Sequence, residues 1–458
     1  MEYFAEDGDM IRINKKKFLF AVLIILLTGI LIGQGLVFAK PDTYEDLKAF
    51  TQALELVKRY YVENPDSKEL VQGAIRGMIS SLDPHSSYMN ERQFKEMNMD
   101  IKGEFQGVGI QIGVKNQQLM VIAPIEDTPG FRAGLAAGDK ILKINDEWTK
   151  DLTIEQAVDK MRGPRGTPVR LLIFREGWDK PREFKIIRDV IKVQSVKSKM
   201  LDNEIGYVKI IQFQGQTADE LEKALKDLEA KGVKKLVLDL RNDPGGLLDA
   251  SVDVSDKFLP KDKLVVYLQG RQASDRKDFR TAGGGIPREY PMVVLVNTGS
   301  ASASEIVAGA LQDSKRALIL GTQSFGKGSV QTVYTLDGGG GIRLTTAKYY
   351  TPSGRSIQNV GITPDVEVKL PPVKEPKDGE AAHLVVREKD LKRHLKNESV
   401  KEEKKKDQPV SEEDFDMEVM PKDDKDDPQL LKAVEILKPA QKAADVFKNI
   451  PVAAKKEK

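Results

Sequence analysis

The sequence predicts a mixed α/β protein assembled from three kinds of chain. Residues 206 to 370 alternate strand-like and helical runs, the pattern of a sheet that is at least partly parallel. Residues 100 to 190 carry short β-rich runs punctuated by glycine turns, and residues 43 to 82 carry apolar residues at helical spacing. At 458 residues and 40% hydrophobic content, the chain has room for two or three domains and at least one sizeable core.

Taken in order, the first segment is residues 1–39. Arg12 and Lys15, Lys16 and Lys17 precede the apolar run FLFAVLIILLTGILIGQGLVFA, residues 18–39, which as a helix spans ~33 Å. Positive charge ahead of the run orients the N-terminus inside and the remainder outside the cytoplasmic membrane. Val37-Phe38-Ala39 fits a small-x-small cleavage site, so the segment reads either as a cleaved signal peptide or as a retained membrane anchor. Residues 40–98 form a helical module: Leu47, Phe50, Leu54 and Val57 recur at helical spacing, as do Ile75, Met78 and Ile79, with Asn64-Pro65-Asp66 breaking the two runs.

Residues 99–190 contain GVGIQIGV, LMVIAPI, KILKIN, VRLLIF and REFKIIR, with the helical run TIEQAVDKMR before the last pair. A small antiparallel barrel with one helix follows. In residues 191–370, GYVKIIQF, KKLVLDL, KLVVYLQ, MVVLVN and RALILG read as strands, with ADELEKALKDLEAKG, LLDASVDVSDKFL and ASASEIVAGALQD as helices. Residues 371–425 are rich in charge and scattered prolines and read as a flexible linker. Residues 426–458 keep one amphipathic helical pattern, PQLLKAVEILKPAQKAADVF.

Composition narrows the chemistry. Lys plus Arg (72) nearly balances Asp plus Glu (70), so no net field points to nucleic acid. The absence of cysteine excludes disulfides, thiolate catalysis and cysteine zinc sites. No phosphate loop, metal cluster or haem motif is present in the sequence, so no cofactor is expected. Of three histidines, His383 and His394 lie in the charged tail, and a histidine-dependent triad would rest on His85 alone.

The segment Asn297–Gln331 supplies an alternative. Three serines, Ser300, Ser302 and Ser304, follow an apolar strand, and Lys327 stands between two glycines 25 residues after Ser302. A serine hydroxyl becomes nucleophilic when a base takes its proton, and a lysine whose ammonium form is destabilised can do so. Gln331 lies four residues beyond Lys327, on the same side in either a helix or a strand, where its amide oxygen could orient the amine. Backbone N–H groups at a strand-to-helix turn suit an oxyanion, and the glycine turn in LVLDLRNDPGGLLD offers a second donor at Gly245 or Gly246. Each residue also has a plainer reading: Ser302 and Glu305 match a helix capping box, Lys327 a solvated surface lysine, and His85 a satisfied structural histidine.

Together these motifs resemble the carboxyl-terminal processing proteases, or tail-specific proteases, over residues 43 to 370. LDPHSSYM resembles the segment before that family's PDZ domain, and FQGVGIQIG, TPGFRAGLAAGDKILKIN and MRGPRGTPVRL resemble the PDZ domain itself. LDLRNDPGGLL, VLVNTGSASASEIVAGALQD, GTQSFGKGSVQ and GITPDVEV follow in the family's order. The resemblance implies a crotonase-like β/α protease core with Ser302 as nucleophile, Lys327 as general base and Gln331 positioning it. It further implies an oxyanion hole from the N–H of Ala303 and of Gly245 or Gly246, with Asp313 in a supporting position. For the PDZ domain it implies a loop, Gly107-Val108-Gly109-Ile110, that holds a substrate's apolar C-terminus by strand addition, and Arg162 is a candidate for coupling that domain to the core. The expected partners are protein substrates, a second subunit packed through residues 43–82 and 428–447, an activating adaptor and the cytoplasmic membrane. A crotonase-type acyl-CoA enzyme and a PDZ scaffold with a decayed site are the competing readings.

Overall fold

A computed structural model describes residues 41–115, 118–283, 288–370, 386–397, 420–421 and 423–448. The apolar run 18–39 lies outside them; among the described residues, no helix is long and apolar enough to cross a membrane. The chain divides into one unit ending at Ile75 and a second beginning at Arg76. In the first lies helix α1 (Pro41–Tyr60), and α2 (Ser67–Ser80) crosses the boundary. The predicted break is real: the Asp66 carboxylate caps the start of α2 by accepting from the Lys68 N–H at 2.6 Å. Tyr44, Leu47, Leu56, Tyr60 and Val62 are exposed.

In the second unit the chain forms strand β1 (Ser87–Met89) and α3 (Glu91–Lys102) before entering the β-rich body. That body begins and ends in a two-stranded stem of β2 (Glu104–Gly107) and β9 (Asp189–Lys192). Between them lie β3 (Ile110–Lys115), β4 (Gln118–Pro124), β5 (Lys140–Ile144), β6 (Glu147–Trp148), α4 (Ile154–Met161), β7 (Pro168–Phe174) and β8 (Arg182–Ile187). The sheet is antiparallel throughout, in the order β3-β4-β5-β7-β8 with β6 on β5. Its core is small and aliphatic, with Ile141, Ile144, Val169, Leu171 and Ile173 fully buried. At the stem, Gly103 C=O accepts from Val193 N–H at 3.0 Å, Gly215 N–H donates to Ile101 C=O at 3.2 Å, and Gln216 Nε2 donates to Val193 C=O at 3.1 Å.

The larger body holds β10 (Val196–Met200), β11 (Ile205–Ile210), α5 (Thr217–Ala230), β12 (Lys235–Asp239), α6 (Leu248–Asp256), β13 (Leu264–Gln269), β14 (Lys277–Arg280), β15 (Met292–Val296), α7 (Ala303–Asp313), β16 (Leu318–Gly321), β17 (Ser329–Thr335), β18 (Gly341–Tyr350) and β19 (Val366–Glu367). One sheet runs β10-β11-β12-β15-β16-β19; its first pair is antiparallel and the others are parallel. Alternation along its strands fills two cores. Leu236, Leu238, Met292, Val294 and Val296 face the core containing α5, α6 and α7, while Val237, Val293, Leu295, Leu318 and Leu320 face the other. Burial on both faces explains why MVVLV is apolar without interruption. The second sheet runs β1-β18-β13-β14 with β17 on β18, all antiparallel. Its Val265, Val266 and Tyr349 close the helical core from the other side.

Three segments outside 191–370 complete this body. Strand β1 pairs with β18, so the DPHSSYM segment is built into the core. Helix α8 (Pro428–Leu437) buries Leu430, Ala433, Ile436 and Leu437 against the outer face of the parallel sheet. This corrects the expectation that residues 428–447 supply a face for a second subunit: their apolar side is already used within this chain. Residues 386–397, expected to be flexible linker, form a strap in which Val386, Glu388, Leu391 and Asn397 are buried. The linker reading weighed charge, whereas the buried Glu388 and Asn397 side chains have partners in the core.

Arg241 anchors α8. Its guanidinium is 2% exposed and pairs with Asp239 at 2.6 Å and Asp427 at 2.8 Å, and it donates to Gln429 Oε1 at 2.9 Å. Removing one partner strands two buried carboxylates. Arg241→Met is therefore expected to cost about 3–5 kcal/mol, read as a lowered urea midpoint, with earlier proteolytic cutting around residue 427.

Candidate active site

The site is built where three neighbouring parallel strands end. The chain leaves β12 into the loop Arg241–Leu247, β15 into Asn297–Ser302, and β16 into Thr322–Gly328. Adjacent parallel strands bring their C-terminal loops to one edge of the sheet, where open α/β sheets bind ligands.

Ser302 stands at the entry to α7 with φ 55° and ψ −111°, a conformation a serine adopts at a cost of about 1–3 kcal/mol. Local chemistry in the sequence does not separate the three serines, and only the resemblance names Ser302; in the fold their surroundings differ. Ser300 Oγ donates to Leu240 C=O at 2.8 Å and Ser304 Oγ to Asp243 C=O at 3.0 Å, and both residues are fully buried. Ser302 is only half-buried. The residues that follow it, Ala303 to Leu311, are buried on every side of the helix, and Ala303, Ser304, Ala308, Gly309 and Ala310 among them are small.

Glu305 joins the serine loop to the lysine loop. Its Oε2 accepts from the Ser302 N–H at 2.9 Å and from the Lys327 N–H at 3.0 Å. Its Oε1 accepts from the Gly326 N–H at 2.7 Å and from Ser324 Oγ at 2.6 Å. Burial pushes this carboxyl up to about 7, against the four hydrogen bonds, which favour its charged form. The capping pattern legible in the sequence is thus half of a larger bridge. The fully buried Tyr349 adds a second hold on the lysine loop: its hydroxyl donates to Lys327 C=O. Burial raises that hydroxyl well above the usual tyrosine value, and the negative charges of Glu305 and Glu388 raise it further.

Gln331 lies in β17, and a register shift falls between Val330 and Gln331. Lys327 precedes the strand, so the even spacing between the two residues does not decide which way Gln331 faces. Its amide nitrogen donates to Ser329 Oγ at 3.0 Å and Thr345 Oγ1 at 3.3 Å. Thr345 in turn donates to Asp83 Oδ1 at 3.1 Å, which ties this strand pair to the DPHSS segment.

The glycine loop packs directly on the serine loop. Gly245 has φ 95°, and a Cβ there would come within 2.8 Å of Ala303 N and 2.6 Å of Ala301 O, so only glycine fits. The Gly245 N–H already donates to Asp243 Oδ1 at 2.9 Å. Among the described residues, no acceptor sits on the N–H of Gly246 or of Ala303. Of the two glycines the sequence leaves open, Gly246 keeps its donor available. Gly246 is held by a bridge to Phe213, whose N–H donates to Gly245 C=O at 2.9 Å.

Asp313 is not brought to these loops. It ends α7, about 16 Å along the helix from Ser302, and binds Ser353 N–H at 2.9 Å and Arg355 at 2.5 Å. In the β-rich body, a groove of about 460 Å³ runs between β3 and α4, lined by Val108, Ile110, Ile112, Ile122, Val158 and Met161. At its rim Gly109 takes φ 74°, and among the described residues no acceptor sits on the N–H groups of Val108 and Gly109. Arg162 borders the groove with its guanidinium 5.5 Å from the Phe105 ring centre.

Comparison with known proteins identifies the parts. Peptidase family S41 matches residues 204–368, a PDZ domain residues 120–175, and the activating protease CtpB N-terminal domain residues 36–93. The chain is 45% identical over 425 residues to a carboxy-terminal-processing protease of Bartonella bacilliformis, covering 92% of this chain and 94% of that one. The chain belongs to the carboxy-terminal-processing proteases. The carboxy-terminal processing protease CtpA of Bacillus subtilis is 37% identical over 354 residues, 77% of this chain and 75% of its own. Among solved structures, a photosystem II D1 C-terminal processing protease aligns at 29% identity and TM-score 0.42, covering 70% of this chain and 92% of that one.

This protease is therefore a serine-type peptidase with an S41 core, a PDZ domain and N-terminal helices, and the acyl-CoA and scaffold readings fall away. Reasoning from sequence missed Glu305 as more than a cap, Tyr349 and the strap residue Glu388. The S-x-x-E spacing was a usable signal for the first. The others are distant in sequence and carry no local pattern.

Glu305 has a folded value of about 7 against an ordinary 4.5. The folded protease then holds an extra proton between those values, so this group's contribution is full below 4.5 and is lost as pH rises through 7. The slope is at most about 1.4 kcal/mol per pH unit. The melting temperature of Glu305→Gln relative to wild type is expected to climb between pH 5 and pH 8. A flat difference would show that Glu305 does not titrate there.

Proposed function

We propose that this protease cleaves exported proteins chosen by their apolar C-termini, using Ser302 as nucleophile and Lys327 as general base. The observation that carries the reading is the single Glu305 oxygen that holds the backbone N–H groups of both residues. Neutral Lys327 takes the proton from Ser302 Oγ as that oxygen attacks the scissile carbonyl carbon. The oxyanion that forms accepts from the Ala303 and Gly246 N–H groups, an arrangement in which each donor is worth about 10²–10³ in rate. Lys327 then returns the proton to the leaving amine, and water attacks the acyl-serine with the same lysine as base. Gln331 is the residue proposed to orient the lysine.

In the same proposal, the PDZ groove takes the substrate's last residues as an added strand beside β3, with the free N–H groups of Val108 and Gly109 meeting its carboxylate. Occupancy can reach the catalytic loops through the stem. Gly103 and Val193 bond the turn Gln214–Gln216, and the preceding Phe213 holds Gly245 and Gly246. Arg162 borders both the groove and α3, where its charge acts on the Asp100 carboxyl, and so remains the candidate coupling residue. Export rests on the basic and apolar pattern of residues 12–39. Self-association of a second copy through the exposed side chains of residues 44–62 belongs to the same reading, and a monomeric mass by light scattering would remove it.

With an unfolded protein ending in apolar residues, Ser302→Ala and Lys327→Ala are each expected to lose about 10⁴-fold or more in cleavage. Replacing the substrate's last three residues with aspartate should raise KM for the wild type. Undiminished cleavage by Ser302→Ala would sink the mechanism, and indifference to the substrate's tail would sink the PDZ role.

A further inference from the structure

The lysine loop is held from a second direction by the strap 386–397. Glu388 is fully buried, and its Oε2 lies 2.7 Å from His85 Nε2. Its Oε1 accepts from Gln358 Nε2 at 2.8 Å, and Gln358 Oε1 accepts from the Gly328 N–H at 2.9 Å. All three side chains are buried. The strap is seated on the same loop by Glu388 N–H to Phe325 C=O at 3.3 Å and by Arg387 Nη2 to Ser324 C=O at 3.2 Å. Its Val386 and Leu391 form a small core with Phe325 and with Ala301, the residue before Ser302.

We propose that Glu388, set by His85 and acting through Gln358, is a positioning residue for Lys327. The proposal rests on the assignment of Lys327 as the base. A lysine between two glycines has no neighbouring side chain to fix its backbone, so the fixing comes from outside. Glu305 takes the N–H groups of Gly326 and Lys327, Tyr349 takes the Lys327 carbonyl, and Gln358 takes the N–H of Gly328. Of these bonds, the Gln358 one is set by residues outside the matched peptidase segment 204–368, Glu388 and His85. Burying a carboxylate to hold a strap would be costly where apolar residues suffice. A rigid orientation of Gln358, with both its amide groups committed, is what the carboxylate adds. The negative charge of Glu388 also reaches the Tyr349 hydroxyl, which donates to Lys327 C=O.

The test uses the full chain and an internally quenched, unstructured peptide ending in three apolar residues. Values of kcat and KM are measured for wild type, Ser302→Ala, Glu388→Gln and Gln358→Met and corrected for the folded fraction by circular dichroism. Glu388→Gln cannot accept from both His85 and Gln358, and Gln358→Met cannot accept from Gly328. Each is expected to lose about 10- to 100-fold in kcat, the cost of a misplaced catalytic group, at unchanged KM. Wild-type kcat, or a loss that falls on KM or on the folded fraction, overturns the proposal; if Glu388→Gln does not fold, Gln358→Met decides by the same criterion. Cleavage by Ser302→Ala would instead defeat the mechanism on which the proposal rests. An inactive Ser302→Ala beside wild-type Glu388→Gln and Gln358→Met would defeat the positioning role alone.

Discussion

Two loops that leave different strands meet on the carboxylate of Glu305, and the rest of the site depends on that meeting. The serine loop follows β15 and the lysine loop follows β16, and neither contains enough local structure to fix itself against the other. A carboxylate can accept from several donors at once, which a neutral side chain of similar size cannot. Four donors on one buried group offset the cost of taking it out of water, although burial still holds its proton affinity high. The bridge also binds the Ser302 N–H, in a residue whose backbone is strained. Strain at that point persists because the surrounding contacts over-determine it.

The parallel sheet supplies the frame for this bridge. Its strands β12, β15 and β16 are neighbours, so the glycine, serine and lysine loops emerge side by side. Both faces of those strands are buried and mostly apolar, which leaves the frame little freedom to shift. Against this rigid edge, chain from far away is used as bracing. The segment 83–89 joins the second sheet, the strap 386–397 covers the lysine loop, and α8 is tied by Asp427 and Gln429 to Arg241 at the root of the glycine loop. The PDZ stem enters the same scheme through Gln214–Gln216, beside the residue that holds Gly246.

Much of this was legible in the sequence because it is written in short-range pattern. Continuous apolar runs determined the parallel strands, alternation with helical periods determined the α/β core, and glycine-punctuated β runs determined the antiparallel body. Motif order determined the family, and with it the candidate residues Ser302, Lys327, Gly245 and Gly246. Composition misread the strap, because a charged segment looks like solvated chain until its charges find buried partners. Amphipathic pattern alone left open what α8 packs against, since an apolar stripe does not name the surface that covers it.

The different surroundings of the three serines, and of the two glycines, belonged to the tertiary structure. The hydroxyls of Ser300 and Ser304 are taken by the carbonyls of Leu240 and Asp243, and the Gly245 N–H is taken by Asp243 Oδ1. The same is true of the second role of Glu305 and of the entire chain from His85 through Glu388 to Gly328. The sequence by itself determined which residue types and which strands make this protein. Hydrogen bonds between residues tens to hundreds of positions apart decided which atoms remain free to act, because a donor's availability depends on what folds against it.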